Sequence, residues 1–213
     1  MNTHLHVMEA DANLLRAWDD TGLREKLAAL VRVTMSQIVD TQTGHFKLFF
    51  DAEWNSLEDI GSYGHDIEAA WLLCEAAEVL GDEERQTSVH GWALELARSV
   101  SREALDPEGG LAYEGRDGEV IDPDREWWCQ AEAIVGFWQA YRSTGEAEFA
   151  EAASRVWSFI ENRVVDRVNG EWFWRVFADG SVDESEPKVS EWKGPYHNTR
   201  MCLEMLRRIG NEE

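Results

Sequence analysis

Three histidines lie where side chains could do chemistry, because each begins a helical pattern in the sequence. His6 is followed three residues later by Glu9, and His65 by Glu68, so each pair shares one helix face. A neighbouring carboxylate orients an imidazole and raises its pKa, which suits proton transfer near neutral pH. His197 opens a third pattern of this kind. The three histidines therefore predict general acid–base catalysis.

An internal repeat places these histidines in one register. The segments that begin at His6, His65, Cys129 and His197 align with one another at offsets of 59, 64 and 68 residues. A repeat of this length built from helical hairpins predicts an α-solenoid or an α/α toroid. In a toroid, corresponding positions lie at the same height, so we expect the histidines to converge on one end of a central cavity.

A metal site is the alternative interpretation of the same residues. His4 and His6 form a His-x-His pair, and His65 and His197 would add further nitrogen ligands. No acidic residue stands at a typical ligand spacing, so proton transfer without a metal is favoured. The two histidines outside the register are interpreted as surface or packing residues, namely His45 and His90.

Helical periodicity dominates the elements that must position these residues. Apolar residues recur at helical spacing in seven segments, over 5–18, 23–39, 66–80, 86–104, 128–142, 147–165 and 198–209. The segments pair into hairpins joined by longer polar connections. Strand-like stretches occur at 45–50 and 171–177, and the turn-rich stretch 106–124 is predicted to be a long loop. We expect a single all-α domain over residues 1–213, with short strands only in its connections.

The composition excludes several classes of partner. The 213 residues carry 42 acidic and 20 basic side chains, a formal net charge of −22, which repels nucleic acid and anionic lipid. No apolar run is long enough for a membrane span. The three cysteines lie within helical patterns and form no Cys-x-x-Cys pair, so we expect reduced thiols in a cytoplasmic protein.

Tryptophans are abundant, and six of the eleven cluster at predicted junctions between loops and helices. They are Trp54, Trp127, Trp128, Trp172, Trp174 and Trp192. Flat apolar rings with polar edges suit the faces of sugars, and nearby carboxylates and amides can bind hydroxyl groups. The sequence has no dinucleotide-binding, P-loop or serine-hydrolase motif. Together these features favour a carbohydrate ligand.

Four motifs resemble the cellobiose 2-epimerases of the N-acylglucosamine 2-epimerase superfamily. They are Asn2-Thr-His-Leu-His6-Val-Met-Glu9, Ser62-Tyr-Gly-His65-Asp-Ile-Glu68, Trp127-Trp128-Cys-Gln-Ala-Glu132 and Glu191-Trp192-Lys-Gly-Pro-Tyr-His197-Asn198. The resemblance runs over essentially the whole chain and implies part of an (α/α)6 barrel. One departure is Gly194, where the cellobiose branch usually has cysteine between the lysine and the proline.

The resemblance also implies roles for individual residues. His65 and His197 match the histidines that move the proton at C2 of the reducing-end sugar, and His6 matches a third histidine that binds the O1 and O2 region. Glu68 resembles the carboxylate that holds the His65 imidazole. The residues expected to contact the disaccharide substrate are Tyr63, Trp128, Glu132, Trp192 and Asn198. Neither a metal nor another cofactor is implied.

Two other functions remain open at this point. Aldose–ketose isomerisation in the same superfamily uses the same enediolate but returns the proton to C1. A catalytically impaired module could instead keep the histidines and bind sugar without turnover.

Length is the main departure from the superfamily, whose members are about twice as long and contribute twelve helices. The chain corresponds to the C-terminal half of an epimerase barrel. The other half would carry an arginine and a tyrosine that the family uses around the substrate. We therefore expect a homodimer or a complex with a complementing N-terminal half.

Overall fold

The computed structural model describes residues 1–210 and is mostly helical. Its helices are α1 (Asn2–Ala17), α2 (Thr21–Val33), α3 (Tyr63–Leu80), α4 (Glu83–Ala104), α5 (Trp127–Thr144), α6 (Ala147–Phe159) and α7 (Tyr196–Gly210). Helices α2 and α6 continue into single π-helical turns, over Thr34–Ile38 and Ile160–Val164. Each helix corresponds to one of the seven predicted segments, and the predicted all-α class is confirmed. Within residues 1–210, none of the helices has the length and apolar character needed to cross a membrane.

The helices alternate between two layers along the chain. Helix α3 packs against α1, α4 and α5, and α5 packs against α3, α6 and α7. Helices α1, α3, α5 and α7 thus form an inner layer, with α2, α4 and α6 outside it. Because α3 and α5 are covered on nearly all sides, their sequences are apolar around the whole helix rather than along one stripe. The arrangement is a partial (α/α) barrel of antiparallel hairpins.

Short strands join the helices at the end where the predicted site lies. Strands β1 (Gly61–Ser62), β2 (Glu114–Arg116) and β3 (Glu119–Asp122) form an antiparallel sheet in that order. Strand β4 (Arg125–Glu126) pairs with β5 (Arg175–Val176), also antiparallel. Strand β1 leads directly into α3, and β4 leads directly into α5. Strand pairing therefore fixes the first turns of these two inner helices.

The prediction of a long loop over 106–124 is wrong, because β2 and β3 form a hairpin there. Asp117 and Gly118 form its turn with φ of 52° and 79°. Two successive positive φ angles are typical of a type I′ turn, and Asp-Gly is a strong sequence signal for it. Of the two strand-like stretches, 171–177 contains β5, whereas 45–50 forms only isolated bridges at Phe46 and Phe50.

The close approach of α3 and α5 depends on Gly136, and an alanine there tests it. A Cβ at this position would lie 2.5 Å from Ile67 Cγ1 and 2.8 Å from the Ile67 carbonyl oxygen. We expect Gly136→Ala to lower the free energy of unfolding by about 1–3 kcal/mol, because the helices must move apart. At Gly91 on α4, an added Cβ would have no other atom within 4 Å. Gly91→Ala should therefore raise the free energy of unfolding by up to about 1 kcal/mol. Urea unfolding measures both variants, and equal effects would contradict this account of the packing.

Candidate active site

An open cavity of about 430 Å³ lies at the N-terminal ends of the inner helices. The three histidines of the repeat register line this cavity, from α1, α3 and α7. Glu68 on the same face of α3 as His65 lines it too, and so do two of the predicted substrate-binding tryptophans. These six residues are His6, His65, Glu68, Trp128, Trp192 and His197. The fold therefore brings the three histidines to one site.

Two of the histidines lie beside the same indole ring. The ring centroid of Trp128 is 4.7 Å from that of His65 and 5.5 Å from that of His197. Trp192 is 79% exposed at the rim of the cavity. A sugar that entered the cavity would meet an indole ring with two imidazoles close to it.

A buried carboxylate fixes the orientation of His197. The Nδ1 atom of His197 lies 2.7 Å from Oε1 of Glu132, a residue that is 1% exposed. The other carboxylate oxygen of Glu132, Oε2, accepts a hydrogen bond from Trp71 Nε1 at 3.0 Å. Because an ionised carboxylate only accepts, Nδ1 of His197 carries the hydrogen. In the neutral ring Nε2 then holds the lone pair, so this nitrogen can serve as a base.

His65 is neutral near pH 7. Burial is the main cause that lowers its pKa, to about 4, and the positive charge of His197 acts in the same direction. Its Nδ1 lies 3.0 Å from Ser62 Oγ at the start of the helix. The expectation that Glu68 holds this imidazole is wrong, since the Glu68 carboxylate is bound by Arg200 instead.

Arg200 on α7 ties the four inner helices together. Its Nη1 donates to Glu9 at 2.7 Å, and its Nη2 donates to Glu68 at 2.5 Å and lies 2.8 Å from Glu132. One guanidinium thus faces three carboxylates.

Burial and the charge of Glu132 raise the pKa of Glu68. Glu132 is also buried, but Arg200 and His197 lower its pKa. Within residues 1–210, Oε2 of Glu68 has no hydrogen-bond partner.

His6 has the opposite electrostatic environment from His65. Its Nδ1 lies 3.3 Å from the Tyr196 hydroxyl and 3.8 Å from Glu9 Oε2. The nearby Glu9 carboxylate raises the pKa of His6, although burial opposes this effect. Burial also acts against ionisation of Glu9, but His6 and Arg200 lower its pKa to about 2. His6 therefore holds a proton more readily than His65, and it does so beside the ionised carboxylate of Glu9.

Arg200 was not among the residues predicted for the site, although the repeat contained the signal. The positions three residues after each start of the register are occupied by Glu9, Glu68, Glu132 and Arg200. Three acidic residues and one basic residue at equivalent heights on neighbouring inner helices indicate an ionic cluster. Extending the alignment to this fourth position would have identified the arginine.

Three predicted substrate-binding residues do not line this cavity. Tyr63 is 3% exposed on the other side of α3, and a Cβ on Gly115 would lie 2.1 Å from its hydroxyl, so the two residues pack closely. Asn198 donates to Glu171 Oε1 at 3.1 Å. Glu132 lies beneath the cavity, where it holds His197. These positions follow from the first turns of the helices, where successive side chains point about 100° apart.

The metal alternative finds donor atoms but also a competing cation. Atoms of Glu68, Glu132 and His197 lie within 4.8 Å of one another, yet the Arg200 guanidinium already contacts both carboxylates. His4 stacks against Trp54 at 5.8 Å, so the His-x-His pair does not converge on one site. The guanidinium of Arg200 therefore lies against the carboxylates that a metal ion would have to bind.

Comparison with known proteins agrees with this geometry. A family model for N-acylglucosamine 2-epimerase (GlcNAc 2-epimerase) matches residues 1–199. The cellobiose 2-epimerase of Bacteroides fragilis is 43% identical over 207 residues, which are 97% of this chain and 53% of that protein. A second such enzyme, from Dictyoglomus turgidum, is 40% identical over 98% of this chain and 53% of its own length.

A solved structure of a sugar epimerase from a ruminal bacterium matches with a TM-score of 0.93 at 36% identity. The match covers 97% of this chain and 53% of the other, so the partial barrel described above corresponds to part of a larger ring. The chain spans about half the length of the curated relatives it matches. With the family motifs, fold and histidine cavity all present, this chain belongs to the N-acylglucosamine 2-epimerase family.

Proposed function

We propose that this chain supplies the histidine-bearing half of a sugar epimerase. The reaction inverts C2 at the reducing end of a β-1,4-linked disaccharide such as cellobiose. The observation that carries the proposal is the placement of His65 and His197 beside the same indole ring, that of Trp128, in one cavity. The names of the relatives from Bacteroides fragilis and Dictyoglomus turgidum support the substrate class.

The proposed chemistry begins with the open-chain form of the sugar, whose C1 carbonyl acidifies the proton on C2. One of the two histidines removes that proton, and the C2–H electron pair forms the double bond of a cis-enediolate. The other histidine then delivers a proton to the opposite face of C2. His65 suits the base role because burial keeps it neutral at pH 7, and His197 suits it because Nε2 holds the lone pair.

The remaining cavity residues suit the charge and shape of this reaction. His6, whose pKa is raised, can stabilise the negative charge that develops on O1 and O2. Trp128 and Trp192 offer indole faces for the apolar faces of the two sugar rings. Glu68 lines the cavity, but its unpartnered Oε2 is buried, so a hydroxyl group of the substrate would reach this oxygen only after the side chain moves.

We further propose that the chain acts within a complete ring, formed by a second copy or by a complementing N-terminal half. Exposed apolar side chains on both end helices of the inner layer support this. On α1 they are Val7 and Leu14, with Trp18 directly after its last residue, and on α7 they are Leu203, Leu206 and Ile209. Apolar patches at both edges are typical of surfaces that another protein segment covers.

Isotope exchange tests the proposed reaction. A sample whose complete ring is confirmed by light scattering is incubated with cellobiose in heavy water. We expect deuterium at C2 and formation of the glucosyl-mannose epimer, because the abstracted proton exchanges with solvent before one is returned. Deuterium at C1 with a ketose product would instead show that the reaction is aldose–ketose isomerisation and not epimerisation. No exchange in a confirmed ring would contradict catalysis and leave sugar binding as the function.

A further inference from the structure

A partly buried histidine, His45, lies outside the histidine cavity, in the connection that follows α2. Nδ1 of His45 is 2.7 Å from Asp66 Oδ2, and its Nε2 is 3.2 Å from Glu103 Oε2. Asp66 belongs to the first turn of α3 and is fully buried, while the Glu103 side chain near the end of α4 is 12% exposed. The residue interpreted from the sequence as a surface or packing histidine therefore bridges two helices through both ring nitrogens.

The two carboxylates favour a doubly protonated ring. An ionised carboxylate only accepts hydrogen bonds, so the hydrogen bond with Asp66 needs a hydrogen on Nδ1 of His45. The 3.2 Å contact between Nε2 and Glu103 lacks hydrogen-bond geometry and is an ion pair, which is attractive when the ring is charged. A neutral ring would turn a lone pair toward one of the carboxylate oxygens. The bridge is thus complete only in the imidazolium form.

The surrounding charges favour that form. Asp66 Oδ1 accepts the Phe46 backbone N–H at 2.8 Å, and Glu103 Oε1 is bound by Arg102 at 2.8 Å. The aromatic ring of Tyr63 lies edge-on to His45, with the centroids 6.1 Å apart. An adjoining cavity of about 560 Å³ has more acidic than basic side chains around it, namely Asp40, Glu58, Asp59 and Asp117 against Lys47 and Arg116.

The bridge between His45 and Asp66 is connected to the proposed active site by the backbone of α3. Asp66 directly follows His65 in the first turn of α3, and His65 faces the histidine cavity while Asp66 faces His45. We infer that His45 is a positioning residue, which holds the first turn of α3 against α4 and so sets the place of His65 as long as it carries its proton. The inference rests on the function proposed for His65.

The direction of the pH dependence follows from the contacts. Burial disfavours the charged ring, but the combined effect of Asp66 and Glu103 raises the pKa of His45 above its ordinary value of 6.5. A raised pKa in the folded state gives stabilisation that is fully present below about pH 6.5 and is lost as the pH rises through the folded pKa. The first turn of α3 is therefore expected to loosen on the alkaline side.

NMR of the histidine ring nitrogens in the full chain tests the inference without requiring catalysis. The signals are assigned with His→Gln variants and followed from about pH 5 to about pH 9. We expect both nitrogens of His45 to be protonated at pH 6.5, with a midpoint above that value. Asp66→Asn and Glu103→Gln should each lower this midpoint by about one unit or more. The ring signals of His65 should shift at the His45 midpoint in the wild type.

A matched control and a second variant complete the design. His90 faces one half-exposed carboxylate, Glu78, at 3.6 Å, so His90→Gln should leave the response of His65 unchanged, whereas His45→Gln should abolish it. If His45→Gln does not fold, Glu103→Gln takes its place, because it removes only one of the two contacts of His45. The response of the His65 signals to the His45 titration is then compared with that of the wild type. A His45 midpoint below 6.5, or His65 signals that ignore the His45 titration, would overturn the inference. If the titrations of His45 and His65 are coupled but the assembled barrel exchanges no deuterium with cellobiose, the proposed epimerase function is refuted while the inference about His45 stands.

Discussion

Replacing either His65 or His197 by alanine is expected to lower the rate of deuterium exchange at C2 of cellobiose by about 10²–10⁴-fold in the assembled ring, which is the usual contribution of general acid–base catalysis. Each variant removes one proton carrier, and Trp128 remains to bind the sugar. The loss should therefore appear mainly in kcat, with a small change in KM. His90→Ala, which changes a histidine far from the cavity, is the matched control and should retain the full rate.

The pH profile separates this role from simple damage to the cavity. His65 has a pKa of about 4, so its base form persists throughout the neutral range and is lost only as the pH falls toward 4. We expect the protonation of His65 itself to reduce exchange on that acidic side, whereas any decline on the alkaline side would come from loss of the His45 bridge. If either alanine variant loses less than about tenfold in rate, the two-histidine mechanism is wrong.

Removal of the buried guanidinium should have the largest effect on stability. We expect Arg200→Met to lower the free energy of unfolding by about 3–5 kcal/mol, because Glu68 and Glu132 would remain buried without their cation. Adding Glu132→Gln to Arg200→Met should restore part of this loss, since one uncompensated charge is removed. Urea unfolding at pH 7 measures the variants.

An exposed arginine provides the comparison for Arg200. Arg116 pairs with Asp59 at 3.1 Å, and their side chains are 43% and 75% exposed. Arg116→Ala should therefore change the free energy of unfolding by less than about 1 kcal/mol. A similar small effect for Arg200→Met would mean that the buried ionic cluster does not stabilise the inner helices.

The sequence predicted what depends on periodicity and register. Apolar spacing located the seven helices, and the repeat placed His6, His65 and His197 at the same end of neighbouring inner helices, where the structure has them. Both inferences use only local geometry, since a helix turns by about 100° at each residue.

Which carboxylate binds which histidine or arginine depends on contacts between helices, so periodicity and register could not predict it. Glu68 was assigned to His65 because the two share α3, but Arg200 approaches from α7 and binds that carboxylate. His197 is held instead by Glu132 from α5, 65 residues away. His45 lies in an irregular connection without periodicity, so its two partners appear only in three dimensions.

The four inner helices differ in how they are supported, and this has a consequence for regulation. Helix α3 packs along an inner-layer neighbour on each side, whereas within residues 1–210 α1 and α7 each pack along one and meet each other through side chains such as Glu9 and Arg200. His65 is carried by the doubly supported helix, but His6 and His197 are carried by the two end helices. A segment that covers those ends would restrain two of the three histidines at a distance. Association would then act as an allosteric effector, and by reciprocity a bound sugar would tighten the association by the same factor.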